Sequence, residues 1–299
     1  MEIQKPFLKW VGGKTQIIDK VLLRFPKEIN NYHELFLGGG SVLLALLSMQ
    51  KQGKIKIHGT VYAYDINKPL IHVYRHIQLN KEELYEYIDK YVSEYENITG
   101  EEVNRKATNI EEAKTSKESY YYWIRNKYNK MEKNTVECSA LFIFMNKTCF
   151  RGVYREGPNG YNVPFGHYKK TPTIITKYTL DTVSELIRDV VFIDSDFIKS
   201  MKNIETGDFV YLDPPYAPEK SDSFVNYVAD GFDLKKHRKL FNEVKKLDFK
   251  NVSFLMSNAN VEMVQTSMKK FKIDEIMARR AIHSKNPGAK AKEVLIYNK

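Results

Sequence analysis

Residues 32–65 constrain this chain more than any other stretch. Tyr32-His33-Glu34-Leu35-Phe36-Leu37 reads as a short strand and Gly38-Gly39-Gly40 as a tight turn. Ser41 to about Met49 reads as an apolar helix, with Ser41 placed to cap it. Val61-Tyr62-Ala63-Tyr64 is a second strand, ending on Asp65. Two strands joined through a helix form a βαβ unit, and such units build parallel sheets covered by helices. The chain is thereby directed toward an α/β sheet protein.

The same pattern returns near the C-terminus. Val190–Ile193 and Phe209–Leu212 are apolar runs of strand length, a helix spans about Leu234–Leu247, and strands follow at Val252–Met256 and Leu295–Tyr297. The middle differs. Leu84, Tyr87, Ile88, Tyr91 and Tyr95 recur at helical spacing, Tyr120 begins another helix, and Ala140–Met145 is helical and apolar. Residues 152–173, rich in Gly, Pro and Asn, read as hairpins or ordered loops. The simplest architecture is a doubly wound, Rossmann-like α/β domain formed by residues 1–69 and 186–299, with a mostly helical insertion at 70–185.

Composition narrows the function. With 47 Lys and Arg against 37 Asp and Glu, the net charge is +10. Residues 145–180 carry net +5 and residues 269–299 net +6, whereas 81–119 carry net −5. A concentrated basic surface suits a polyanionic partner. Two cysteines, Cys138 and Cys149, cannot make a disulfide scaffold, and Cys149 is expected to be a buried free thiol. The longest aliphatic run, Val42–Leu47, is far too short to span a membrane, and Met1–Lys5 lacks the apolar core of a signal peptide. The expectation is a soluble, cytoplasmic protein with no membrane partner and no metal, since the seven His are scattered.

Three motifs carry chemistry. The glycine turn after Phe36 lets a ligand approach the backbone, and Asp65 at the next strand end can accept from ribose hydroxyls. Gly12-Gly13-Lys14-Thr15 resembles the end of a P-loop, but Leu8 stands where the earlier glycine belongs. Asp213-Pro214-Pro215-Tyr216 follows an apolar strand. Its two prolines fix φ and remove two donors, leaving an acceptor-rich corner beside a flat ring. An exocyclic amino group on a purine offers the matching pair of N–H donors and a π face. Tyr120–Arg125 reads differently: Tyr121, Ile124 and Tyr128 share a helical face and are expected to pack a core.

These motifs together resemble the DNA adenine methyltransferase (Dam) family, N6-adenine-specific enzymes of the D12 type. The resemblance rests on Phe7-Leu8-Lys9-Trp10, Gly12-Gly13-Lys14, Phe36-x-Gly38-x-Gly40-Ser41, Asp65-Ile66-Asn67, Asn162-Val163-Pro164-Phe165-Gly166 and Asp213–Tyr216, in the family's order, with weaker matches at Leu255–Asn258 and Glu293–Leu295. It implies that residues 70–185 are a target-recognition domain. It implies S-adenosylmethionine as cofactor, held by Trp10, Lys14, Phe36, Gly38, Gly40, Asp65 and Asp213, with Lys14 facing the methionine carboxylate or the DNA. Catalysis would rest on Asp213, Pro214, Pro215 and Tyr216. Double-stranded DNA would be the partner, met by Lys9, Lys147, Arg151, Arg155, Lys169 and Lys170, with the adenine flipped out of the duplex. Many relatives carry Asn where Arg151 stands, which leaves the target open between GATC, CATG and another short palindrome. A cognate restriction endonuclease acting on the same site is a possible companion. Methylation of RNA or of cytosine N4, and a DNA-binding protein without catalysis, are the alternatives. The motif order and the intact Asp213 and Asp65 stand against them.

Overall fold

The computed structural model describes residues 2–218, 232–279 and 290–299. Part of the basic C-terminal stretch, residues 280–289, lies outside the described residues. The chain divides into two compact units: Met1–Pro6, Val11–Ile66 and Asp189–Lys299 in the first, Phe7–Trp10 and Asn67–Arg188 in the second.

The first unit is built on a seven-stranded sheet. Its strands are β1 (Tyr32–Glu34), β2 (Val61–Asp65), β3 (Val190–Asp194), β4 (Phe209–Leu212), β5 (Ser253–Ala259), β6 (Lys272–Arg279) and β7 (Lys290–Tyr297). They lie in the order β6-β7-β5-β4-β1-β2-β3. The pairs from β3 to β5 are all parallel, and β7 runs antiparallel to both β5 and β6. The five parallel strands have the doubly wound order 3-2-1-4-5, with a reversed hairpin added at one edge. The strand order turns back between β1 and β4, the switch point where open α/β sheets bind ligands at their carboxyl ends.

Most expected elements form where the sequence placed them, and the differences have local causes. The first strand stops at Glu34, yet the chain stays bonded beyond it. Leu35 N–H reaches Tyr211 O at 3.1 Å, and Leu37 N–H reaches Tyr64 O at 2.8 Å. The helix after the glycine turn spans Ser41–Lys51 and is capped by Gly40, not by Ser41. The chain must pass through a left-handed residue there (Gly40 φ 68°), which glycine adopts without a Cβ penalty. The helix Glu262–Met268 and strand β6 lacked a readable sequence signal.

Side chains alternate across the sheet, as the pleat requires. Val210, Leu212, Phe254, Met256, Val294 and Ile296 enter one core with Leu240, Phe241 and Val244 of the helix Leu234–Phe249. The intervening positions, Tyr211, Asp213 and Glu293, therefore belong to the opposite face.

The second unit is mostly helical: Lys68–Leu79, Lys81–Glu96, Lys117–Lys130, Val136–Thr148 and Lys177–Leu186. The helix Val136–Thr148 is apolar around its circumference and packs against the first three. Tyr121, Ile124 and Tyr128 are fully buried core residues, and Cys149 is a buried free thiol. A small hairpin pairs Glu156–Gly157 with Gly160–Tyr161. Among the described residues no helix is long and apolar enough to cross a membrane.

Candidate active site

In the first unit, the chemistry gathers at the carboxyl ends of β1 and β4. Asp213 follows β4 directly and is largely buried. Its Oδ2 lies 2.7 Å from the Lys14 Nζ, whose side chain is also buried. The Lys14 ammonium also donates to Gly12 O at 2.5 Å and sits 5.0 Å from the centre of the Tyr216 ring. Two hydrogen bonds and a ring face thus occupy an ammonium that has three N–H groups. Asp213 Oδ1, by contrast, is buried without a hydrogen-bond partner among the described residues. A buried orphan acceptor costs about 1–3 kcal/mol, so it calls for a donor from a ligand.

The glycine turn supplies the neighbouring wall. Gly38 (φ 50°) and Gly40 (φ 68°) both take left-handed backbone. Asp65 at the end of β2 accepts from Gly38 N–H at 2.9 Å, which ties the turn to that strand end. Ser41 Oγ accepts from Lys14 N–H at 3.0 Å, so the lysine segment is fastened to the first turn of the helix. Phe36 packs with Phe197 and Phe232 at centroid distances of 5.8 and 6.1 Å.

Electrostatics follow from this crowding. Burial pushes the Asp213 carboxyl up to about 6; the Lys14 cation opposes that rise, and Glu293 adds to it. Glu34, at the end of β1, is buried and pushed up to about 8, chiefly by burial, with the charges of Asp213 and Asp65 adding and a 2.7 Å hydrogen bond from Tyr32 OH opposing. Among the described residues, Asp65, Asp213 and Glu293 outnumber the Lys14 cation at this end of the sheet, while the raised Glu34 holds its proton. The site is therefore suited to a ligand that carries positive charge.

Four contributors had no place among the site residues expected from the sequence. Glu34 had a signal, an acid inside an apolar strand just before the glycine turn. Ser41 was read as a cap and instead anchors Lys14. Asn258, fully buried on β5, accepts from Ala217 N–H at 3.0 Å and Ala259 N–H at 2.9 Å, and so fixes the chain just past Tyr216. Glu293 on β7 accepts from Tyr216 OH at 2.8 Å. The last two fall in the weaker family matches, Leu255–Asn258 and Glu293–Leu295, but nothing local in either ties it to Asp213 or Tyr216.

The remaining expected residues lie in the second unit. Trp10 stacks against both Phe142 and Tyr154, at 6.4 and 5.8 Å, and those two rings also touch each other. Lys9 Nζ lies 3.3 Å from Tyr168 OH and 3.4 Å from Lys147 O, and its backbone N–H is held by Asn146 Oδ1 at 2.8 Å. Burial and the Lys9 charge bring the Lys147 ammonium down to about 8. Arg151 sits in left-handed backbone (φ 56°) with its guanidinium 5.1 Å from the ring of the exposed Phe150. Arg155 is held by Asn162 through Nε at 2.6 Å and Nη2 at 3.3 Å. Lys169 and Lys170 are exposed and make no ion pair with a described residue. Lys9, Lys147 and Tyr168 are thus brought together, while Arg155 stands at the base of the hairpin.

Comparison with known proteins places the chain in a family. A model of the D12 class N6 adenine-specific DNA methyltransferases matches residues 10–282. The Type II methyltransferase M.MjaIII of Methanocaldococcus jannaschii is 35% identical over all of both chains. The Type II methyltransferase M1.LlaDCHI of Lactococcus lactis subsp. cremoris is 30% identical over 98% of this chain and 95% of its own. The DNA adenine methylase of Escherichia coli (strain K12) is 28% identical over 98% of this chain and 94% of its own. The chain belongs to the D12 class N6 adenine-specific DNA methyltransferases. It is an adenine-specific DNA methyltransferase with a Rossmann-like sheet.

Proposed function

We propose that the chain transfers a methyl group from S-adenosylmethionine to N6 of an adenine flipped out of a short duplex recognition sequence. The carrying observation is the buried Asp213 Oδ1, without a partner among the described residues, beside a rigid Pro-Pro-Tyr corner. The amine of adenine is a weak nucleophile because its lone pair is delocalised into the ring. Asp213 Oδ1 and the Pro214 carbonyl accept its two N–H bonds, which favours a tetrahedral nitrogen and stabilises the positive charge that grows there. Pro215 holds the corner stiff, and the Tyr216 ring stacks on the base and aligns it. Asp213 orients and stabilises; a carboxylate is far too weak a base to ionise the amine beforehand.

The residues present fit S-adenosylmethionine. The excess of Asp65, Asp213 and Glu293 over Lys14 among the described residues favours a cation, and the left-handed glycines leave backbone room beside Asp65, which suits a ribose. When bound, that group supplies the electrophilic methyl carbon. Phe36, Gly38, Gly40, Asp65 and Asp213 hold it, joined by Lys14.

The second unit acts as the target-recognition region. Arg155 offers a guanidinium, oriented by Asn162, for bidentate contact with a guanine. Lys9, Lys147, Arg151, Lys169 and Lys170 supply the remaining base and phosphate contacts. Arg151 leaves the sequence open between GATC, CATG and another palindrome. A restriction endonuclease sharing that site would need no contact with this chain.

The test is Asp213→Ala. Methyl incorporation into plasmid DNA is expected to fall at least about 1,000-fold while duplex retention stays within about 3-fold of the parent. Full activity in this variant overturns the assignment.

A further inference from the structure

We propose that Glu293 is a positioning residue for the transfer: it anchors the Tyr216 ring through the hydroxyl, on the face of the sheet that carries Asp213. The proposal rests on the reading of Asp213 and Tyr216 given above.

The placement comes from sheet geometry. β7 runs antiparallel beside β5, and Glu293 pairs with Ala259 at the carboxyl end of that strand. Its neighbour Val294 and then Ile296 point into the core beneath the helix Leu234–Phe249. Glu293 therefore emerges on the face that carries Tyr211 and Asp213. Its Oε2 meets Tyr216 OH at 2.8 Å, a charge-assisted hydrogen bond.

Tyr216 is thereby fixed from three directions. Pro214 and Pro215 stiffen the chain before it, Asn258 Oδ1 holds the N–H of Ala217 after it, and the phenol end is tied to Glu293. The Lys14 ammonium lies 5.0 Å from the ring centre. A ring held at its tip as well as its root cannot swing away from an extruded base, and misplacement by about 1 Å can cost about 100-fold in rate.

Glu293 also acts through space. Among the described residues, the charged and titratable groups around Asp213 are Lys14, Glu34, Tyr211, Tyr216 and Glu293. Lys14 favours the ionised carboxylate and Glu293 disfavours it. The two act as opposing settings on one acceptor.

The experiment measures single-turnover methylation of plasmid DNA against pH for Glu293→Gln, Glu293→Ala, Tyr216→Phe and the Tyr216→Phe/Glu293→Ala double variant. Thermal midpoint and S-adenosylmethionine affinity confirm folding of each. Glu293→Gln keeps an acceptor without the charge. Its rate at pH 8 is expected within about 3-fold of the parent, with the acidic limb moved to lower pH. Glu293→Ala is expected to fall by about 10–100-fold. In the Tyr216→Phe background, Glu293→Ala adds less than about 2-fold, because no hydroxyl remains to be held. Fully multiplicative losses together with an unmoved limb in Glu293→Gln overturn the proposal. A parent protein that methylates no DNA sinks the underlying reading of the corner instead, so the two failures are distinct.

Discussion

Replacing Lys14 by Met isolates what the buried cation does for Asp213. The ammonium lies 2.7 Å from Oδ2 and opposes the rise that burial imposes on the carboxyl, which titrates at about 6. An opposite charge at this range lowers a carboxyl by about 1–3 units, so its loss is taken to lift Asp213 by about 2, to about 8. At pH 7.5 the ionised fraction then falls from about 0.97 to about 0.24, a loss of about 4-fold in acceptor. At pH 6.5 the loss is about 25-fold, and at pH 9 it nearly vanishes. Met fills similar volume, and below about pH 8 the orphaned carboxyl is neutralised by protonation, so the fold is expected to persist there, with the thermal midpoint followed across the alkaline points. The assay is rapid-quench single turnover with enzyme in excess and both substrates saturating, from pH 5.5 to 9.5. Saturation removes any binding role of Lys14. The expected result is an acidic limb near 6 in the parent and near 8 in the variant, with rates converging at high pH. A limb within about half a unit of the parent's, or a uniformly lowered profile, refutes the argument.

Two further outcomes follow from burial and backbone geometry. The Glu34 carboxyl is raised to about 8 in the fold, so the folded protein holds a proton that the unfolded chain releases near 4.5. That contribution to stability is complete below pH 4.5 and is lost as pH climbs through about 8. Ligand-free parent protein should lose up to about 1.4 kcal/mol per pH unit between pH 6.5 and 8 in urea titrations, while Glu34→Gln stays flatter; parallel curves would contradict the buried acid. Gly152 has left-handed backbone (φ 67°), and a Cβ there would lie 2.3 Å from the Lys9 Cβ. Gly152→Ala should cost about 1–2 kcal/mol from the backbone alone. It should also weaken duplex binding in fluorescence anisotropy while S-adenosylmethionine affinity holds; unchanged duplex affinity would remove Lys9 from the DNA contacts.

By itself, the sequence determined the local elements and the two halves of the site. Short apolar runs, the glycines between a strand and a helix, and two prolines after a strand each act within a few residues, so β1, β2, β4, the Gly38–Gly40 turn and the Asp213–Tyr216 corner were legible. What only tertiary structure decided was adjacency. Lys14 became the partner of Asp213, Glu293 that of Tyr216, and Glu34 a proton-holding acid because sheet order brought together positions 199, 77 and 179 residues apart. Ser41 shows the same limit on a small scale: its hydroxyl suits a cap, but the left-handed bend needed Gly40 there and left Ser41 to hold Lys14. Spacing encodes which face a side chain takes, whereas charge coupling depends on distance through space and on the water excluded between groups, and neither is a local property of the chain.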